Sequence, residues 1–189
     1  QKEDPLLAKT EIQMFLAHQR VGWLKNLDRV SNPMTPDQIY ITAANFSISK
    51  NTFNLIGVFD SRWKAVVDYD LAMRATELAI PIYYSSKAIG WHEDFITCRS
   101  YINRKRQGIE NGKLLKQLKP DLVSKYHRYK EGVLDKNKSL KFSIVGNSFF
   151  VWTIDKCNLY KYLLPKKLRY SLYSAVVTSL GKYFPNRKF

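Results

Sequence analysis

Apolar positions along the chain switch between two spacings, and each switch marks an element. Near the start, Ala8, Ile12, Phe15 and Leu16 recur at intervals of three and four, the spacing of one helix face. Asp4 can cap such a helix, Pro5 suits its first turn, and Gly22 suits its end. After a turn-rich stretch, Asn32-Pro33-Met34-Thr35-Pro36, Ile39, Ile41 and Ala43 alternate with polar or small neighbours as in a strand. Phe46 and Ile48 resume the alternation after the phase shift that a bulge produces. Ser49-Lys50-Asn51 predicts a turn into a second strand over 53–59, and a third strand is expected over 64–69. Asp70 is placed to cap a helix over 71–79, which Pro81 ends.

Residues 82–98 show neither period. The basic stretch 99–119, interrupted by Gly108 and Gly112, predicts one or two short helices, and 121–132 another, with a polar loop over 135–139. The strongest local pattern is 141–154, where Gly146-Asn147 separates two β-rich runs and predicts a hairpin with a mirror-image turn. Leu168, Leu172, Val176 and Leu180 place one apolar face on a last helix over 165–183. The expected fold is α+β: an antiparallel sheet with a C-terminal β-hairpin, packed by N-terminal and C-terminal amphipathic helices. The length of 189 residues suits a single domain, 1–189, with lobes 1–98 and 99–189 distinguished by charge.

That charge difference is large. Residues 1–98 hold 10 Lys and Arg against 11 Asp and Glu, whereas 99–189 hold 21 against 5, a net of +16. A one-sided excess of this kind attracts polyanions. The basic half also interleaves rings with cations: Tyr101 near Arg104, Lys105 and Arg106; Lys125, Tyr126, Arg128, Tyr129 and Lys130; and Tyr160 to Tyr162 before Lys166, Lys167 and Arg169. Cations neutralise phosphates, and flat rings stack on bases. On the expected hairpin, Lys141, Phe150 and Trp152 share one face and form a candidate stacking platform. The leading expectation is therefore binding of nucleic acid, RNA ahead of DNA, without catalysis. The alternative is a peripheral protein on an anionic membrane or within a larger assembly, and 1–98 is a candidate surface for a protein partner.

Other chemistry is weaker. His92, Glu93 and Asp94 crowd titratable groups together, but neighbours in sequence rarely converge on one point. Asp60 with Lys64 has the residue types of a metal-dependent nuclease without the usual spacing. Leu55-Ile56-Gly57-Val58-Phe59-Asp60 is similar to the start of the LAGLIDADG homing-endonuclease motif, which implies Asp60 as a metal ligand, yet Ser61-Arg62-Trp63 departs from its continuation. Ile144-Val145-Gly146-Asn147 resembles one strand motif of the RNA-recognition-motif family, whose second, aromatic-rich motif is missing here. Cys98, Cys157 and three scattered histidines have no zinc-ligand spacing, so no metal and no cofactor is expected. The two distant cysteines read as free thiols, which favours an intracellular, reducing compartment. No run of 18 apolar residues spans a membrane. The start lacks both a signal-peptide pattern and an initiator Met, as in a processed chain.

Overall fold

The computed structural model describes residues 2–3, 10–27, 29–92, 94–126, 136–157 and 159–189, and it is helical. In chain order the elements are β1 (Lys2–Glu3), α1 (Glu11–Leu27), α2 (Lys50–Ile56), α3 (Val67–Glu77), β2 (Trp91–His92), α4 (Cys98–Leu118), α5 (Pro120–Lys125), α6 (Lys136–Val145), α7 (Ser148–Trp152), α8 (Leu159–Leu163) and α9 (Lys166–Thr178). Two π-helical turns, Thr153–Cys157 and Ser179–Tyr183, extend α7 and α9. Strand structure among the described residues is confined to β1 and β2, two residues each, so the expected α+β fold with an antiparallel sheet is not the fold of this chain.

Helix caps explain why. Ser49, expected in a strand-to-strand turn, is the N-cap of α2, its Oγ accepting from the Thr52 N–H at 3.0 Å. Gly57 closes that helix at φ 89°, a left-handed conformation that costs glycine little. The expected strand over 53–59 is therefore largely helix. The expected strand over 64–69 gives way to α3, which begins at Val67 and carries Asp70 inside it rather than as its cap.

The predicted hairpin fails in the same way. Gly146 ends α6, and Asn147 caps α7, with Oδ1 accepting from the Phe149 and Phe150 N–H groups and Nδ2 donating to the Ile144 carbonyl. A Cβ on Gly146 would lie 2.1 Å from Ser179 Oγ, so the close approach of α9's extension requires glycine there. A Gly-Asn pair serves as a helix stop and cap as readily as a hairpin turn.

The helices that were expected form with shifted bounds. Thr10 and Gln13 make a capping box at the start of α1: Thr10 Oγ1 accepts from the Gln13 N–H, and Gln13 Oε1 accepts from the Thr10 N–H. The proposed cap at Asp4 and Pro5 lies outside the described residues, and Gly22 sits within α1 rather than ending it. Residues 98–118 form one helix through both glycines.

Two compact units divide the chain. The first holds 22–91 and 110–130; the second holds 2–21, 92–109 and 131–189. The core of the first unit gathers Ile39, Trp63, Tyr69, Met73, Leu115 and Tyr126, beside a smaller cluster of Ile56, Leu71 and Ala75. In the second unit Ile12, Phe15, Ile102, Ile154, Tyr173, Val176 and Leu180 belong to one core. Full burial of such side chains contributes roughly 1.5–3 kcal/mol each. On α9 the buried face is Tyr170, Tyr173, Val176 and Val177, while Leu168 is 58% exposed. A repeat of four drifts by about 40° per step around a helix, so the expected Leu168–Leu180 stripe leaves the core at one end.

Candidate functional site

Folding redistributes the charge. The second unit holds 18 Lys and Arg against 8 Asp and Glu, and the first holds 13 against 8, so both are basic and the second more so. Many of these cations are already engaged.

In the second unit the arginines are. Arg104 pairs with Asp94 at 2.5 Å, an exposed contact. Arg106 donates to the carbonyls of Leu180 (2.9 Å) and Arg187 (2.8 Å) and lies over the Phe189 ring. Arg187 donates to the carbonyls of Ser143 and Gly146, which satisfies the end of α6. Arg169, 11% exposed, lies 3.0 Å from the buried Glu11 carboxylate, an ionic contact rather than a well-directed hydrogen bond. It also donates to the Lys161 carbonyl. The planar guanidinium, with five donors, suits carbonyl-rich interior sites of this kind. Lys105 is half-buried, and burial together with the charge of Lys182 lowers its ammonium below the usual lysine range.

Several lysines remain at the surface. Lys141, Lys166 and Lys167 are exposed, Lys166 lying 5.6 Å from the Tyr170 ring centroid. Lys156 and Lys161 join them. The only carboxylate after Asp135 is Asp155, and it is spent on structure: its oxygens accept from the Cys98 and Arg99 N–H groups and cap α4. Eight Lys and Arg follow it with no acid among them.

The helical geometry of 141–157 separates the expected platform. Residues two apart on a helix point in different directions. Phe150 packs against the core, with its ring 6.4 Å from Tyr160 and near-parallel to it, whereas Trp152 is 55% exposed. Trp152 instead shares its outward face with Phe149 and Lys156, three residues before it and four after. Leu159, Tyr162, Leu163 and Leu168 are also exposed, Tyr162 at 80%. The segment 148–168 thus presents large apolar side chains interleaved with Lys156, Lys161, Lys166 and Lys167. Phe149 and Lys156 escaped the sequence reading because a hairpin hides the three- and four-residue spacing that joins them to Trp152.

In the first unit, Lys125 pairs with Glu77 at 2.8 Å, and the Tyr126 hydroxyl donates to the same carboxylate. Desolvation, with Glu77 second, pushes the Tyr126 hydroxyl up to about 12. Arg128, Tyr129, Lys130 and Glu93 lie outside the described residues, as does the side chain of His92. Asp60 receives Arg62 on both oxygens, with Lys119 at 3.2 Å. The Arg62 hydrogen bonds hold its carboxyl far below the usual carboxylate range. Lys119 also reaches Asp70, which is fully buried and bound by Arg74. This is an ion network closed on itself. No group of three His, Cys, Asp or Glu side chains able to hold a metal occurs among the described residues.

Cys98 and Cys157 are unbridged, and burial pushes the Cys98 thiol well up. No helix among the described residues is long and apolar enough to cross a membrane. Comparison with known protein families, curated proteins and solved structures gives no match.

Proposed function

We propose that the second unit binds an anionic surface through residues 148–168, with an anionic lipid bilayer as the target. The observation that carries this reading is the company the surface lysines keep. Lys156, Lys161, Lys166 and Lys167 alternate with exposed Phe149, Trp152, Leu159, Tyr162, Leu163 and Leu168, and no carboxylate is exposed among them except Asp155, which is bonded to α4. Lysines near an anionic leaflet contribute about 1 kcal/mol each, and aromatic and aliphatic side chains enter the headgroup region. Three of the six exposed apolar residues are leucines, which have no use in base stacking but partition into acyl chains.

The test is sedimentation with vesicles of phosphatidylcholine containing phosphatidylglycerol. Binding should weaken as salt rises, and Trp152→Ala should lower it by about tenfold with little change in stability, since the ring is already half in water. Equal pelleting with pure phosphatidylcholine would reject the reading.

A second reading, single-stranded nucleic acid, is favoured by the three exposed rings Phe149, Trp152 and Tyr162. With four lysines on phosphates, log K would fall with log salt at a slope of about −3. Tighter binding to an oligonucleotide than to vesicles of equal charge would establish it instead.

A further inference from the structure

The outward face of α9 leads from the proposed surface into a pocket open to solvent. At about 100° per residue, Lys167 and Leu168 lie on the same helix face as Ser171, Ser174, Ala175 and Thr178. Over the latter four, α6 contributes Lys141 and Phe142, and together these six line a space of about 270 Å³. The polar residues of the lining are one lysine, Lys141, and three that carry hydroxyls, and none of Ser171, Ser174 and Thr178 has a side-chain hydrogen-bond partner among the described residues. Helical serines and threonines commonly return their hydroxyl to the preceding turn, as Thr76 does to the Ala72 carbonyl. Here three leave that bond unmade in a lining that also includes Lys141 and has no carboxylate.

We infer that this pocket between α6 and α9 binds a phosphate monoester. The argument is donor matching. A monoester presents three terminal oxygens and −1.5 to −2 charge near neutral pH. Three hydroxyl donors and one ammonium match that set, whereas a carboxylate offers two oxygens and a phosphodiester a single charge. The space exceeds a phosphate group alone, leaving room for the start of its ester substituent beside the Phe142 ring, which Tyr183 backs at 4.8 Å. The monoester can be a lipid headgroup or a soluble organic phosphate. The lipid form rests on the membrane reading above; the soluble form does not.

Two measurements on the full chain separate these. First, vesicles containing phosphatidic acid, a monoester, are compared with phosphatidylglycerol vesicles adjusted to the same surface potential. Wild type should prefer phosphatidic acid by about tenfold, the effect of a lost charge-assisted hydrogen bond or two. Ser174→Ala/Thr178→Val should abolish the preference while leaving phosphatidylglycerol binding intact. Second, glycerol 3-phosphate is titrated by phosphorus NMR, with saturable broadening expected for wild type and lost in Lys141→Ala. Far-UV circular dichroism verifies that each variant is folded. A preference that survives the double substitution overturns the site. Equal binding to both vesicles, without saturable glycerol 3-phosphate binding, overturns it as well. If no vesicle binds at all, the membrane reading fails alone, and the pocket stands or falls on the glycerol 3-phosphate titration.

Discussion

In the first unit, Arg62, Arg74 and Lys119 converge on Asp60 and Asp70, and Lys119 also lies 5.6 Å from the Trp63 ring centroid. In the second unit, Lys156, Lys161, Lys166 and Lys167 meet solvent and exposed rings, while Asp155, the one carboxylate within 148–168, faces backbone N–H groups. The same residue type does opposite work in the two places. In the first, charge stabilises a partly buried network that tolerates no missing member. In the second, charge is left unspent and is available to a ligand. Net charge along the sequence does not distinguish these cases, because it counts a cation without counting its partner.

Removing Lys119 should break the comparison on the side of the first unit. Lys119→Ala leaves the fully buried Asp70 with Arg74 alone and Asp60 with Arg62 alone, and should cost about 3 kcal/mol by urea denaturation. Vesicle binding per folded molecule should not change; a parallel loss of binding would merge the two roles.

A smaller effect is expected from Asp155→Ala. It removes the acceptor of the Cys98 and Arg99 N–H groups, leaves Thr97 to cap Ser100, and should cost about 1–2 kcal/mol. Because it leaves 136–189 without any acid, affinity for anionic vesicles should hold or rise. An unchanged unfolding midpoint would show that the carboxylate is not capping the helix.

Acid should act on the first unit through Asp60. Its carboxyl is depressed in the folded state by Arg62, so the linked stability is fully present above an unfolded value of about 4 and is lost as pH falls below it. Asp60→Asn should flatten that acid limb in urea midpoints measured between about pH 5 and pH 2. The smallest effect has the opposite sign. The Tyr173 hydroxyl is buried without a hydrogen-bond partner among the described residues, so Tyr173→Phe should stabilise by up to about 1 kcal/mol, read as a raised melting temperature. A lowered melting temperature would reveal a partner for that hydroxyl.

Much of the local pattern was legible. Ile12, Phe15 and Leu16 were recognisable as a core face, the stretch from near 121 as a new helix, and the end of the chain as a helix, because each depends on neighbours within one or two turns. The hairpin was misread because Phe149, Phe150, Val151 and Trp152 favour strands intrinsically, while the Asn147 side chain capped a helix instead. Propensity is a weak preference, and an N-cap together with tertiary packing outweighs it.

The candidate site divides along the same line. Sequence alone determined the supply of charge: an end of the chain rich in lysine, almost without acid, and interleaved with rings. Tertiary structure decided which charges remain available. Arg169 finds Glu11 across more than 150 residues, Arg106 finds the carbonyls of Leu180 and Arg187, and Asp155 finds the start of α4. These partners are distant in sequence and adjacent in space, so no periodicity reports them. What remains exposed is set by the geometry that consumes the rest.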